Sequence, residues 1–283
     1  MKNLLVPVDF SDYAYNACLF ALNLASREGG KVTLVHVYHI PIIDPLMPAD
    51  YLSNLAETAE KDVSARMEKL KAQLREYQTK QGFGKVEMAS VITMGFAVDE
   101  IILTAQKHTP DLIVMGRRYT EGMKKILSGS ITSDIIEKAP VPVLVVPENV
   151  APHSALTDIL YASEFSDDDQ RALKYLIRFG AHYHSAIHCV HVARKEEAES
   201  RQKMDALEKQ FADDEKNKRI EFHTISSENV TDGLLDYAGS KNISMMAMLT
   251  HRRPFFISLF DRSLTLKIAF KTNIPLMVFH AGK

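Results

Sequence analysis

The chain has 283 residues and a formal charge of −2, and neither half is cationic: Lys and Arg against Asp and Glu count 16 to 18 up to Glu148 and 18 to 18 after it. A nucleic-acid binder displaces counterions with surplus positive charge, so DNA and RNA are not expected as partners. With 46% hydrophobic residues but no apolar run near the roughly 18 that a membrane span needs, the composition predicts two globular domains and no membrane contact.

The opening MKNLLVPVDF is apolar only briefly before Asp9. It reads as a first strand over 3–8 and not as a secretory leader, which makes the cytoplasm the expected location. Ser11 is a candidate N-cap for the helical stripe Ala14, Ala17, Cys18, Ala21, Leu22, Ala25 that follows. A second strand is predicted over 31–38, then a helix with Val63, Met67, Leu70, Leu74 and Tyr77 on one face. Further strands are predicted over 86–92, 111–115 and 142–146. These runs are too continuously apolar for a sheet wetted on one face, and strand–helix alternation of this kind implies right-handed crossovers and a parallel sheet covered on both sides. Cys18 and Cys189 lie within apolar patterns without a CxxC pair, so buried free thiols are expected.

The pattern is then written a second time. At a shift of 155 positions, Asp9-Phe10-Ser11-Asp12 meets Glu164-Phe165-Ser166-Asp167, and LVHV at 34–37 meets CVHV at 189–192. The closing VPVLVV at 141–146 meets IPLMVF at 274–279. Domains are therefore predicted over 1–148 and 156–283, joined by the polar, proline-containing linker at 148–155. The charged stretch 195–219 is expected to form one long helix with Met204, Leu207 and Phe211 turned inward. Pro140, Pro142 and Pro275 open the two closing strands, and an apolar edge such as VLVV invites pairing, most simply by packing of the halves on each other.

Ligands of open parallel sheets sit beyond the carboxyl ends of the strands, where strand order reverses. Asp9, Val37 and Met115-Gly116 end three strands of the first copy and are expected to converge there. Gly116, lacking a Cβ, is expected to let the backbone turn and approach a ligand. Gly129-Ser130 is expected to open a helix whose free N–H groups and positive dipole end hold phosphate.

VPVDFS, LVHV and G-x2-Y-x9-G-S closed by PVLVVP together resemble the universal stress protein family in its tandem two-domain form. The resemblance implies an α/β fold of two flavodoxin-like domains of the adenine nucleotide alpha hydrolase-like type, each a five-stranded parallel sheet with helices on both faces. It implies ATP binding in the first domain, with magnesium carried by the phosphates. Pro7, Val8, Asp9 and Val37 would line the adenosine, with Asp9 accepting hydrogen bonds from ribose or adenine. Met115 and Gly116 would continue the wall, Gly129, Ser130 and Ile131 would hold the phosphates, and Arg117 is counted among the binding residues. The family motif has a second glycine where this chain has Tyr119, whose side chain would crowd the phosphates.

In the second copy Glu164 replaces Asp9, Ala162 replaces Pro7, Leu249 falls at Gly116 and Arg262 at Gly129, so nucleotide binding is expected to be lost there. Arg117, Arg118, Lys124 and Lys125 are weighed as phosphate contacts. His182, His184, His188 and His191 match no zinc spacing and put His188 and His191 on opposite strand faces, so no metal site is expected. No catalytic residues are expected either, since GxSxG, a Cys–His arrangement and GxxxxGK are all missing. The expected function is a stress-response sensor or switch in which ATP orders the segment from Arg117 to Ser128 for an unknown protein partner. A homodimer is a further expectation. The alternative is a nucleotide-free interaction module with vestigial pockets.

Overall fold

A computed structural model describes residues 2–40, 49–84, 86–118, 131–193, 198–250 and 262–282. In chain order the elements are β1 (Asn3–Pro7), α1 (Asp12–Glu28), β2 (Lys31–Tyr38), α2 (Ala49–Gln81), β3 (Glu87–Met94), α3 (Ala97–His108), β4 (Leu112–Arg117), α4 (Ile131–Lys138) and β5 (Val143–Pro147). They continue with β6 (Asp158–Ala162), α5 (Asp169–Ala181), β7 (Ala186–Ala193), α6 (Ala198–Lys209), α7 (Ala212–Lys216), β8 (Ile220–Ser226), α8 (Val230–Ser240), β9 (Met245–Thr250), α9 (Arg262–Lys271) and β10 (Leu276–His280). The chain is α/β with a tandem pair of flavodoxin-like halves. It divides into two compact units, a first holding Met1–Arg117 and α4, and a second holding Pro142–Lys283.

In the first unit the strand order is β3-β2-β1-β4, all parallel. The chain winds outward through β2 and β3 and returns to the other side of β1, so the β1/β4 junction is where strand order reverses. Strand interiors are buried on both faces, with Leu4, Leu5, Val6, Val32, Leu34, Ile113 and Val114 at 2% exposure or less. That burial explains why the sequence shows apolar runs and no alternation.

The second unit repeats this register. Leu4 pairs with Val32 and Leu112, and at the equivalent place Ile159 pairs with Ile187 and Met245. Leu249 thus stands where Gly116 stands in β4, as the sequence alignment expects. Within the second unit the strand order is β5-β10-β9-β6-β7-β8, with β5 antiparallel to β10 through Leu276↔Val145, Met277↔Leu144 and Val278↔Val143.

Ser11 does cap α1, its hydroxyl accepting from the Ala14 N–H at 3.3 Å. The face of α2 formed by Val63, Met67, Leu70 and Leu74 is buried. The single long helix expected over 195–219 is instead two, α6 and α7. The chain tightens between them, with Gln210 N–H donating to Leu207 O at 3.0 Å and Phe211 N–H to Glu208 O at 2.9 Å, an i→i−3 pattern. This turn keeps Phe211 at 2% exposure alongside buried Met204 and Leu207, so packing of the aromatic ring wins over continuation of the charged helix. Cys18 and Cys189 are buried free thiols, and burial pushes both thiols up from their ordinary pKa.

Candidate nucleotide site

At the carboxyl end of β1 the backbone is held by its neighbour. Val8 N–H donates to Val35 O at 2.8 Å, and the His36 Nδ1 lies 2.7 Å from Val8 O. Phe10 adopts a left-handed backbone with φ 63°, a conformation that costs a non-glycine residue about 1–2 kcal/mol. Its ring is gripped from two sides. The His36 ring centroid lies 4.5 Å away, and the Arg66 guanidinium from α2 sits 4.2 Å above the ring. The second unit repeats the phenylalanine–histidine part of this device. Phe165 has φ 61°, its ring lies 4.1 Å from His191, and the His191 Nδ1 is 2.9 Å from Ser163 O. His36 and His191, at equivalent positions of the two copies, are therefore packing histidines.

The fixed turn presents Asp9 to solvent. One carboxylate oxygen accepts from the Ser11 N–H at 3.0 Å and from its hydroxyl, and the other accepts from the Tyr13 hydroxyl at 2.6 Å. Partial burial opposes ionisation, but these hydrogen bonds outweigh it and hold the carboxyl below its ordinary pKa. Asp9 is thus an ionised acceptor, and its remaining lone pairs are available to a ligand hydroxyl or amino group.

β1 lies between β2 and β4, so Pro7 and Asp9 are flanked by half-buried Val37 on one side and by buried Met115 and Gly116 on the other. The structure corrects the reason for Gly116. It lies inside β4 and makes no turn, and a Cβ there would fall 2.1 Å from the Tyr13 carbonyl oxygen and 2.9 Å from the Ala14 N. The missing side chain lets the first turn of α1 press directly onto β4. Arg117, weighed from the sequence as a phosphate contact, is the last residue of β4 and only 4% exposed, whereas Arg118 is exposed. Ile131 opens α4 and is 48% exposed. Tyr119, Lys124, Lys125, Gly129 and Ser130 lie outside the described residues.

Sequence reasoning missed the aromatic pair at the same carboxyl edge. The Phe96 ring, 73% exposed, stacks on His39 at 5.7 Å beside exposed Met94. The signal was a phenylalanine directly after Gly95 in a turn, where no core position calls for one. On the opposite side of the β1 end, towards α1 and α2, a cavity of about 440 Å³ is lined by Phe10, Ser11, Asp12, Arg66, Lys69 and Gln73, among others. It contains none of Val37, Met115 and Gly116, and so is a neighbour of the crevice and not the crevice itself.

The second unit builds something different at the corresponding place. Asp169, fully buried, accepts from Tyr161 Oη at 2.8 Å, Ser166 Oγ at 3.1 Å, the Phe165 N–H at 3.1 Å and the Ser163 hydroxyl. By the repeat register, Tyr161, Ser163 and Asp169 replace Val6, Val8 and Ala14. A polar network satisfied by its own chain therefore fills the place of three apolar side chains. Leu249, 1% exposed, occupies the glycine's position, and α5 begins two residues later in register than α1.

A doubly wound α/β domain written twice, with a capped acidic turn at the first β1-type strand end, defines a class to which comparison gives a name. The universal stress protein family model matches residues 1–147 and 156–280, and the chain belongs to that family. It is 30% identical over 146 residues to a universal stress protein of Thermus aquaticus, covering 51% of this chain and 98% of that one. It is 23% identical over 294 residues to universal stress protein Slr1230 of Synechocystis, covering 99% and 100% of the two chains. The crystal structure of a universal stress protein from Archaeoglobus fulgidus has the same fold, with TM-score 0.75 at 19% identity over 99% of this chain and 98% of that one. Among the described residues no helix is long and apolar enough to cross a membrane.

Proposed function

We propose that this stress-response protein binds ATP in its first unit, at the crevice beyond the carboxyl ends of β1, β2 and β4, and acts in the cytoplasm as a nucleotide-dependent sensor. The observation that carries this reading is the placement of an ionised, solvent-facing Asp9 at the strand-order reversal, between Val37 on β2 and Met115-Gly116 on β4. These residues suit an adenosine: apolar walls from Pro7, Val37 and Met115, and one anionic acceptor for ribose or adenine donors. Gly129, Ser130 and Ile131 would hold the phosphates, and magnesium would come with the phosphates. When bound, ATP supplies its own charge and shape, which is what a sensor reads.

The second unit is read as a partner domain without a nucleotide. Its buried carboxylate already has four donors, and buried Leu249 stands at the register position of Gly116.

Heat denaturation of the purified protein, with adenine absorbance read in the supernatant, tests for ligand retained from the cell. A melt with added ATP and magnesium tests binding directly. At a hundredfold excess over the dissociation constant, stability should rise by about 2.7 kcal/mol. The rise should be lost in Asp9→Ala and kept in Glu164→Ala. Neither released adenine nor a shift would leave a nucleotide-free interaction module as the function.

A further inference from the structure

We propose that His188, Glu221 and His223, with Asp158 behind His188, form a binding site for a zinc-class divalent transition ion at the amino-terminal ends of β6, β7 and β8. This is the opposite end of the second sheet from the family's ligand crevice, and the site is independent of nucleotide binding.

The pairing of β7 with β8 places the groups. His188 is directly opposite Glu221, and His223 lies two residues further along β8 and so on the same face as Glu221. One ligand atom from each of the three residues lies within 4.8 Å of the others. The His188 and His223 rings are stacked, with centroids 5.8 Å apart and planes at 20°. Moderate rotamer adjustment brings three donors to the roughly 2.0–2.2 Å that zinc makes with imidazole nitrogen and carboxylate oxygen.

Two features point to a ligand. The His223 Nε2 is buried and has no hydrogen-bond partner among the described residues, although Glu221 Oε2 is 3.3 Å away. Buried polar atoms are nearly always satisfied, and a metal bond satisfies this one. His188 also has the carboxylate backing that ligating histidines have, its Nε2 meeting Asp158 Oδ1 at 3.2 Å, and ligation through Nδ1 exchanges that atom's contact with the Tyr237 hydroxyl at 3.1 Å for the ion. Glu221 is exposed, so solvent reaches the fourth coordination position.

The first unit supplies the control. By register, Thr33, Ala89 and Val91 occupy the places of His188, Glu221 and His223, and Asn3 that of Asp158. The packing of this fold therefore does not require a polar cluster here. Two imidazoles and a carboxylate, with no thiolate, favour zinc, cobalt or nickel over magnesium and calcium. An ion at this point ties β8, the last strand in the row, to β7 and β6.

The test uses the tag-free full chain, stripped with chelator and titrated with Zn2+ against a chromophoric competitor, and with Co2+ followed by visible absorption. Expected are one equivalent bound, an intense tetrahedral-type Co2+ band, and a zinc-dependent rise in melting temperature that magnesium does not produce. Glu221→Gln and His223→Gln, both at positions open to solvent or half-buried, should keep the native circular dichroism and lose at least tenfold in zinc affinity. His36→Gln should keep full affinity. Absence of stoichiometric binding by the wild-type chain, or undiminished affinity in a folded Glu221→Gln/His223→Gln double variant, would overturn the proposal.

Discussion

At the scale of single residues, the two copies solve one packing problem with opposite chemistries. Gly116 is required by a backbone approach, because a Cβ would meet the Tyr13 carbonyl oxygen at 2.1 Å. Neither partner atom is at the end of a flexible side chain. Gly116→Ala should therefore cost about 3 kcal/mol or more, read as a lowered urea midpoint with unchanged slope. In the other copy Asp169→Ala strands the hydroxyls of Tyr161 and Ser163 in a dry core and should cost about 3–5 kcal/mol. Adding Tyr161→Phe removes one of the stranded donors, so the double variant should lose less than the sum of the two single losses. Burial raises the Asp169 carboxyl above its ordinary value, against the pull of its hydrogen bonds. A raised folded-state pKa gives stability that is complete below the unfolded carboxyl's value of about 3.9 and is lost as pH rises through the folded value. The stability gap between wild type and Asp169→Ala should accordingly be widest in acid and narrow as pH rises, measured by urea unfolding across the range. The repeated Phe-Ser turn was legible because three contiguous residues, Phe-Ser-Asp, recur after an acidic one. The Tyr161–Ser163–Asp169 network was not, since its members are scattered singly at positions where the first copy has Val6, Val8 and Ala14.

At the scale of elements, the sequence signals worked where one local rule acted without competition. Ser11 precedes a long apolar stripe, and the helix starts where its hydroxyl accepts the Ala14 N–H. Removing that acceptor in Ser11→Ala should cost about 1 kcal/mol from the cap. The loss should be larger than from a typical surface site, because the same hydroxyl also donates to Asp9. A thermal melt alongside Thr58→Ala, an exposed mid-helix control, separates the two. The helix expected over 195–219 failed for the reverse reason. Its charges and spacing favour continuation, but Phe211 gains more by burial than the chain loses by one tightened turn. The metal-like cluster was missed in the same way. The four histidines weighed from the sequence were neighbours along the chain, whereas His188 finds its partners in the Glu-x-His of β8, which only strand register brings alongside.

At the scale of the molecule, the instructive element is β5. The family match and the repeat both assign it to the first copy, as the closing strand of residues 1–147, yet its hydrogen bonds run antiparallel to β10 within the second compact unit. The sequence announced the hazard, since Pro142 before four consecutive apolar residues marks a strand edge in need of a partner. It did not announce the direction of pairing, because antiparallel and parallel ladders use the same apolar pattern here, and only coordinates distinguish them. A strand whose residues Val143, Leu144 and Val145 are all 1% exposed or less, and one side of whose backbone pairs with β10, cannot be left at the end of a truncated chain without consequence. A fragment ending after Pro147 would present that backbone row and its apolar side chains to water. Such a fragment should self-associate in a concentration-dependent manner, and Leu144→Lys should reverse this by placing a charge on the exposed edge. Light scattering coupled to size exclusion decides the matter. A fragment that stays monomeric at high concentration would mean that β5 is secured within the first copy, and that its ladder to β10 adds little to the integrity of either half.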